Sequence, residues 1–246
     1  MPAVRTLHPA SAVTWLAPAC PARVLDLGDS SGALAHDLGE RGHEVYAVAP
    51  GVADARRVQA RAVVRAVVDA DPSRLPFRPR WFDVVTLACT ELPARVLPEA
   101  ARVLRPGGHL GVVTTCRDDT VPWVRRLAGL LQTHDPRAMT ETRSGPSIED
   151  LLADGWFVDA EEHRFRLWVP TDRAGLLAMV ENRPAVAELA PDRHANLLAD
   201  VGMLFDDIAR GREVMLPYSV ICRRAWPDPD RQQAEPSVVL GPHLHW

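Results

Sequence analysis

Val24-Leu25-Asp26-Leu27-Gly28-Asp29-Ser30-Ser31-Gly32 reads as a buried strand, a sharp turn and the entry to a helix. The strand is apolar with one acid inside it. Two glycines then flank a turn, and Leu34, Ala35 and Leu38 follow at helical spacing over residues 32–41. Working outward, residues 44–49, 63–68, 82–89 and 109–115 are further apolar, β-branched runs, with helical spacing between them, as over 94–104. Strand and helix in alternation predict a doubly wound α/β fold, a parallel sheet covered on both faces with right-handed crossovers. Beyond residue 120 the spacing predicts helices over 121–131, 148–153, 171–180 and 192–209, and late strands over 156–165 and 214–222. Residues 226–246 are rich in Pro, Gln and Asp without periodicity and read as a tail outside the core. The expectation is one domain over residues 1–225.

Composition narrows the function. Apolar residues make up 47% of the 246 and charged residues 24%, the balance of an ordinary folded protein. The formal net charge is -4, and no basic run offers the footprint of a nucleic-acid binder. No apolar stretch reaches membrane-spanning length, and the first residues lack the order of a signal peptide, so a cytoplasmic protein is expected. All 28 basic residues are Arg, with Ala, Pro and Val abundant, which suggests a GC-rich bacterial genome. Cys20, Cys89, Cys116 and Cys222 lie far apart and form no metal-type pair; reduced thiols are expected, with neither disulfide nor zinc.

Open α/β sheets bind ligands beyond the carboxyl ends of their strands, which points to the turn at residues 24–32 as a site for a nucleotide-like molecule. A nicotinamide site would have Gly-x-Gly-x-x-Gly and a ribose acid about twenty residues on, and the match is poor. On the nonapeptide alone, a turn that binds nothing stands level with a ligand loop. Three more blocks extend the comparison. Leu75-Pro76-Phe77 precedes Phe82-Asp83-Val84-Val85. Arg102-Val103-Leu104-Arg105-Pro106-Gly107-Gly108-His109-Leu110 closes a helix with Pro and paired Gly before an apolar strand. Arg117-Asp118 is followed by Val121-Pro122-Trp123-Val124. In this order, over roughly residues 10–225, the chain resembles the class I S-adenosylmethionine-dependent methyltransferases, in particular a small-molecule subgroup of the type 11 kind.

The resemblance implies a Rossmann-like sheet of seven strands, the last antiparallel, with a helical cap over about 171–210 that selects the substrate. It also implies S-adenosylmethionine as cofactor and a small-molecule acceptor. Asp26, Gly28, Asp29, Ser30 and Gly32 would hold the methionine portion and ribose, and Ala49, Pro50, Asp71 and Cys89 would complete the cofactor set. The chain departs from the pattern at two of these positions. Ser30 stands where the family has Gly. Ala49, in Val48-Ala49-Pro50, stands where the family has an acid for the ribose hydroxyls, so weakened cofactor binding is expected. The adenine side leaves two registers open. Counting back from Leu75-Pro76-Phe77 gives Asp71 to the adenine amine and places Pro72, which has no N–H, against the ring. A loop two residues longer gives that role to Asp69, with the N–H of Ala70. A helix cap or a solvated turn is the competing reading for both acids.

Glu91 is the one base candidate, set against a reading as a helix-start acid. Arg117 suits either an acidic substrate or a structural carboxylate such as Asp118. Trp123, Trp156, Phe165 and Trp168 suit an acceptor pocket or plain core packing. His36 and His43 read as surface residues, and His243 and His245 lack a third metal ligand. Two functions from different classes remain: a methyltransferase acting on a small molecule, and a non-catalytic methyltransferase-like protein acting as a binding partner or regulator.

Overall fold

The structure, a computed structural model, describes residues 8–19, 21–28, 32–49, 51–89, 91–93, 95–135, 138 and 145–234. In chain order its elements are α1 (Ala10–Leu16), β1 (Arg23–Asp26), α2 (Ala33–Gly39), β2 (Glu44–Val48), α3 (Val52–Arg61), β3 (Ala66–Val68), β4 (Phe82–Ala88), α4 (Val96–Val103), β5 (Leu104–Arg117), α5 (Pro122–Gln132), α6 (Ile148–Leu152), β6 (Phe157–Asp172), α7 (Arg173–Glu181), α8 (Pro184–Ala187), α9 (Pro191–Ile208), β7 (Glu213–Pro227) and α10 (Pro229–Ala234). The strands form a seven-stranded sheet in the order β3-β2-β1-β4-β5-β7-β6. It is mostly parallel and ends antiparallel, the doubly wound architecture expected. The described chain groups into two compact units, one within residues 1–114, 144–165 and 220–246, the other within 115–143 and 166–219.

In the first unit, successive residues on a strand are buried whichever face they point to. Val24 and Leu25 in β1, and Val84 and Val85 in β4, are all 3% exposed or less. That is the mark of a sheet covered on both sides. One face packs Leu25, Phe82, Leu87, Leu104 and Leu110 with Val96, Leu97 and Ala100 of α4. Register then places the polar groups. Parallel pairing sets Asp26 opposite Thr86, so the one acid inside β1 meets a hydroxyl instead of hydrocarbon.

Several elements differ from the sequence expectations, each for a physical reason. Strand β5 starts at Leu104 and not at 109, because Arg105-Pro106-Gly107-Gly108 forms a bulge between the pairs Phe82↔Leu104 and Val84↔His109. Gly107 takes φ 79, and a Cβ on Gly108 would lie 2.8 Å from the Asp83 carbonyl oxygen. The run at 63–68 is strand only from Ala66. Helices α1 and α3, which the sequence reading passed over, cover residues before β1 and after β2. His43 is 8% exposed and not a surface residue, since its Nδ1 accepts a hydrogen bond from the Ala22 N–H at 3.3 Å. The chain past Trp226 continues β7 and forms α10, held where the Gln232 side-chain amide donates to the carbonyls of Ala101 and Leu104, both at 2.8 Å.

These buried imidazoles make stability depend on pH. Burial first, then Arg41, lowers the pKa of His43 below 6.5, and its Nδ1 must stay unprotonated to accept from Ala22. Burial likewise lowers that of His109, whose Nε2–H donates to the Leu16 carbonyl at 2.7 Å. Both groups bind fewer protons folded than unfolded, so their contribution is complete above pH 6.5 and is lost as the pH falls below it. The urea midpoint is expected to be lower at about pH 5 than at about pH 7.5, and His43→Gln is expected to flatten that difference. Equal midpoints at both pH values would contradict it.

The second unit is helical. In α5, Leu127 and Leu131 pack with Leu176 and Val180 of α7 and with Leu197, Val201, Leu204 and Phe205 of α9. Asp172 caps α7 by accepting from the Gly175 N–H at 2.7 Å. The helices expected over 121–131, 171–180 and 192–209 are therefore present, with α8 added between the last two.

Candidate functional site

The turn after β1 is built around the Asp26 carboxylate. Asp26 is 3% exposed and its Oδ1 accepts from the Thr86 hydroxyl at 2.7 Å. The Leu27 N–H donates to the Thr86 carbonyl at 2.8 Å, which carries the chain straight past the end of the strand. Gly28 then crosses directly over the acid: a Cβ there would lie 2.8 Å from Asp26 Oδ2. Gly32 sits at φ 65 as the N-cap of α2, a left-handed conformation that favours glycine, and a Cβ there would meet Val58 at 3.3 Å. A bare backbone thus borders the N-terminal end of α2, the end whose partial positive charge favours polar or anionic ligand atoms. Asp29 and Ser30, expected in this loop, lie outside the described residues, as does Pro50.

The carboxyl ends of the neighbouring strands bring the other candidates alongside. Ala49 follows β2, is 2% exposed, and its N–H donates to the Val68 carbonyl at 3.0 Å; it offers no side-chain oxygen. Asp69 follows β3 directly, and its Oδ1 accepts from the Gly51 N–H at 2.7 Å, so its carboxylate reaches toward the end of β2. Asp71 is exposed and closes a turn onto the Ser73 N–H at 2.8 Å; that hydrogen bond holds its carboxyl below the ordinary value. The following loop is clamped from α4. Glu99 accepts from the Leu75 N–H at 2.6 Å, while Arg102 donates to Glu99 and to the carbonyls of Phe77 and Leu75 at 2.8 and 2.9 Å.

Cys89 follows β4 directly, with its N–H on the Val113 carbonyl and its own carbonyl accepting from the Thr114 hydroxyl. Burial pushes the Cys89 thiol up to about 12, so it stays a neutral, weakly polar lining group at physiological pH and not a nucleophile. Glu91 is exposed on the bend that follows. The turn after β1 and the ends of β2, β3 and β4 therefore gather Asp26, Gly28, Gly32, Ala49, Asp69 and Cys89 at one sheet edge.

The aromatic candidates are dispersed. Trp123 packs on the helical core, Trp156 on the sheet core, and Phe165 stacks with His163 and Trp15. Trp168 is 45% exposed. His243 and His245 lie outside the described residues, and no group of three metal-ligating side chains occurs among the described ones. Thr86 and the Glu99–Arg102 pair escaped the sequence reading. Their signals were a hydroxyl within an otherwise apolar strand and an i,i+3 acid–base pair on a helix.

The family described as "Methyltransferase domain" matches residues 25–112, from within β1 into β5. An uncharacterized methyltransferase of Mycobacterium tuberculosis is 33% identical over 234 residues, covering 90% of each chain. A solved structure from Anaeromyxobacter dehalogenans, described as a type II methyltransferase, superposes with TM-score 0.59 at 22% identity, over 92% of this chain and 98% of the other. A methyltransferase structure from Anabaena variabilis gives 0.55 at 16% identity, over 87% and 95%. Among the described residues, no helix is long and apolar enough to cross a membrane.

Proposed function

The chain belongs to the S-adenosylmethionine-dependent methyltransferases of class I, and on that premise we propose that it is an active enzyme that methylates a small-molecule acceptor. The observation that carries the reading is the Asp26–Gly28–Gly32 turn. A Cβ at Gly28 would collide with the buried acid, so the backbone is bare where a cofactor must approach it. That cradle suits S-adenosylmethionine, whose amino-acid and ribose portions Asp26, Gly28 and Gly32 would hold; the resemblance assigns Asp29 and Ser30 to the same role.

On the adenine side we assign Asp69, with the Ala70 N–H, in place of Asp71. Asp69 leaves β3 beside the end of β2, whereas Asp71 is engaged in its own turn. Ala49 and Cys89 line the same edge. When bound, the cofactor supplies an electrophilic methyl group on sulfonium. The chain's part is to hold donor and acceptor in line and to exclude water. Glu91 is the first carboxylate after the carboxyl end of β4 and would take a proton from an acceptor that starts protonated.

The non-catalytic alternative draws its support from Ala49, which leaves the ribose hydroxyls without the family's acid. One substitution separates the two. Under the enzyme reading, Ala49→Glu restores hydrogen bonds to a charged acceptor and tightens S-adenosylhomocysteine binding about tenfold, read by calorimetric titration. Unchanged affinity, with the variant folded, would mean that no ribose lies there.

A further inference from the structure

The helical unit holds two arginines, Arg117 and Arg183, that form no ion pair with a carboxylate among the described residues. Arg117 ends β5, and its one directed hydrogen bond, from Nη2, goes to the Met179 thioether sulfur at 3.1 Å, a weak acceptor. Its Nε is buried with no hydrogen-bond partner among the described residues. Its guanidinium carbon lies 5.9 Å from the Tyr218 ring centroid. The adjacent acid, the partner the sequence offered, is turned elsewhere: Asp118 accepts from the Thr120 N–H at 3.1 Å and its hydroxyl at 2.6 Å, and lies 3.9 Å from Arg166 Nε. Arg183, just before α8, is close enough to feel Arg117. Burial first, then the Arg117 charge, holds it below the usual arginine value, with Asp135 opposing. Asp135 is the carboxylate that acts on Arg183, and it has interactions of its own.

We propose that Arg117 and Arg183 bind an oxyanion, a carboxylate or phosphate group, carried on the apolar body of the acceptor. Partly buried guanidinium donors without an acceptor are costly, and an oxyanion supplies the lone pairs in the planar geometry that a guanidinium fork matches. The surroundings suit the remainder of such a molecule. Trp123, Met179 and Tyr218 pack as partly buried apolar groups on the helical core. That the ligand is the methyl acceptor rests on the methyltransferase reading; the anion binding itself does not.

The test uses the full chain with saturating S-adenosylhomocysteine, titrated calorimetrically with benzoate, phenyl phosphate and uncharged benzamide. Benzoate or phenyl phosphate is expected to bind at least about tenfold tighter than benzamide, and the tighter of the two identifies the head group. Arg117→Gln and Arg183→Gln are each expected to lose at least about tenfold for the charged probe while S-adenosylhomocysteine binding is unchanged. Arg117→Lys keeps the charge without the fork and falls between. Charged probes that bind no better than benzamide would overturn the proposal, as would folded Gln variants that bind them like the native chain. If Arg117→Gln does not fold, Arg183→Gln decides. If S-adenosylhomocysteine fails to bind while the anion preference persists, the methyltransferase reading fails and the anion site stands.

Discussion

Gly28→Val is expected to lose at least a hundredfold in S-adenosylhomocysteine affinity, about 2.8 kcal/mol. The first atom of the new side chain would lie 2.8 Å from Asp26 Oδ2 and 3.0 Å from Oδ1, too close to be tolerated. The acid cannot simply swing away, because it is 3% exposed and held by the Thr86 hydroxyl opposite it in the β1–β4 register. Relief must come from the turn moving outward, into the space a ligand would need. The accompanying loss of stability is about 1–3 kcal/mol, the usual range for overpacking. Thr86→Val is the control. It removes one donor to Asp26, leaves the turn's backbone in place, and is expected to cost stability more than affinity. A Gly28→Val protein that binds like the native chain would place the ligand away from this turn.

Arg102→Ala is expected to destabilise the fold by about 3 kcal/mol in urea or thermal unfolding. Arg102 and Glu99 are 21% and 18% exposed at their side chains, and together they hold Leu75 and Phe77 through three hydrogen bonds of 2.6 to 2.9 Å. Removing the guanidinium leaves a partly buried carboxylate and two carbonyls short of donors, which costs more than the pair itself is worth. Arg102→Lys is expected to recover only part of the loss, since one ammonium cannot reproduce the forked geometry. The same clamp fixes the loop proposed to face the adenine, so cofactor affinity is expected to fall with stability. A loss under about 1 kcal/mol would show that the loop is held by its apolar contacts with Tyr46 and Phe82.

What the sequence made legible follows from how local each signal is. Strands β1, β2 and β4 and helix α2 were readable because their apolar runs are bounded by turn residues within a few positions. Strand β5 was cut short in the reading because Pro106-Gly107-Gly108 has the composition of a turn, whereas the sheet absorbs it as a bulge. Strands β6 and β7 extend into segments whose pattern resembles neither period cleanly. In the site, the strand, turn and helix entry around Asp26, Gly28 and Gly32 were readable because the turn's geometry is set within nine residues. The different settings of Asp69 and Asp71 were not, because telling them apart requires knowing where β3 ends, and that depends on its pairing with β2. The positive charge near Tyr218 was invisible for a similar reason: Arg117 and Arg183 are 66 residues apart and are brought within electrostatic reach by the helical unit's fold.

The central claim, that the β1–α2 turn is a methyl-donor site that still works, is tested most directly by calorimetric titration of the unmodified chain with S-adenosylmethionine and S-adenosylhomocysteine, with NAD as the comparison. The account predicts one-to-one binding of both sulfur compounds and no binding of NAD. No measurable binding of either sulfur compound would contradict it.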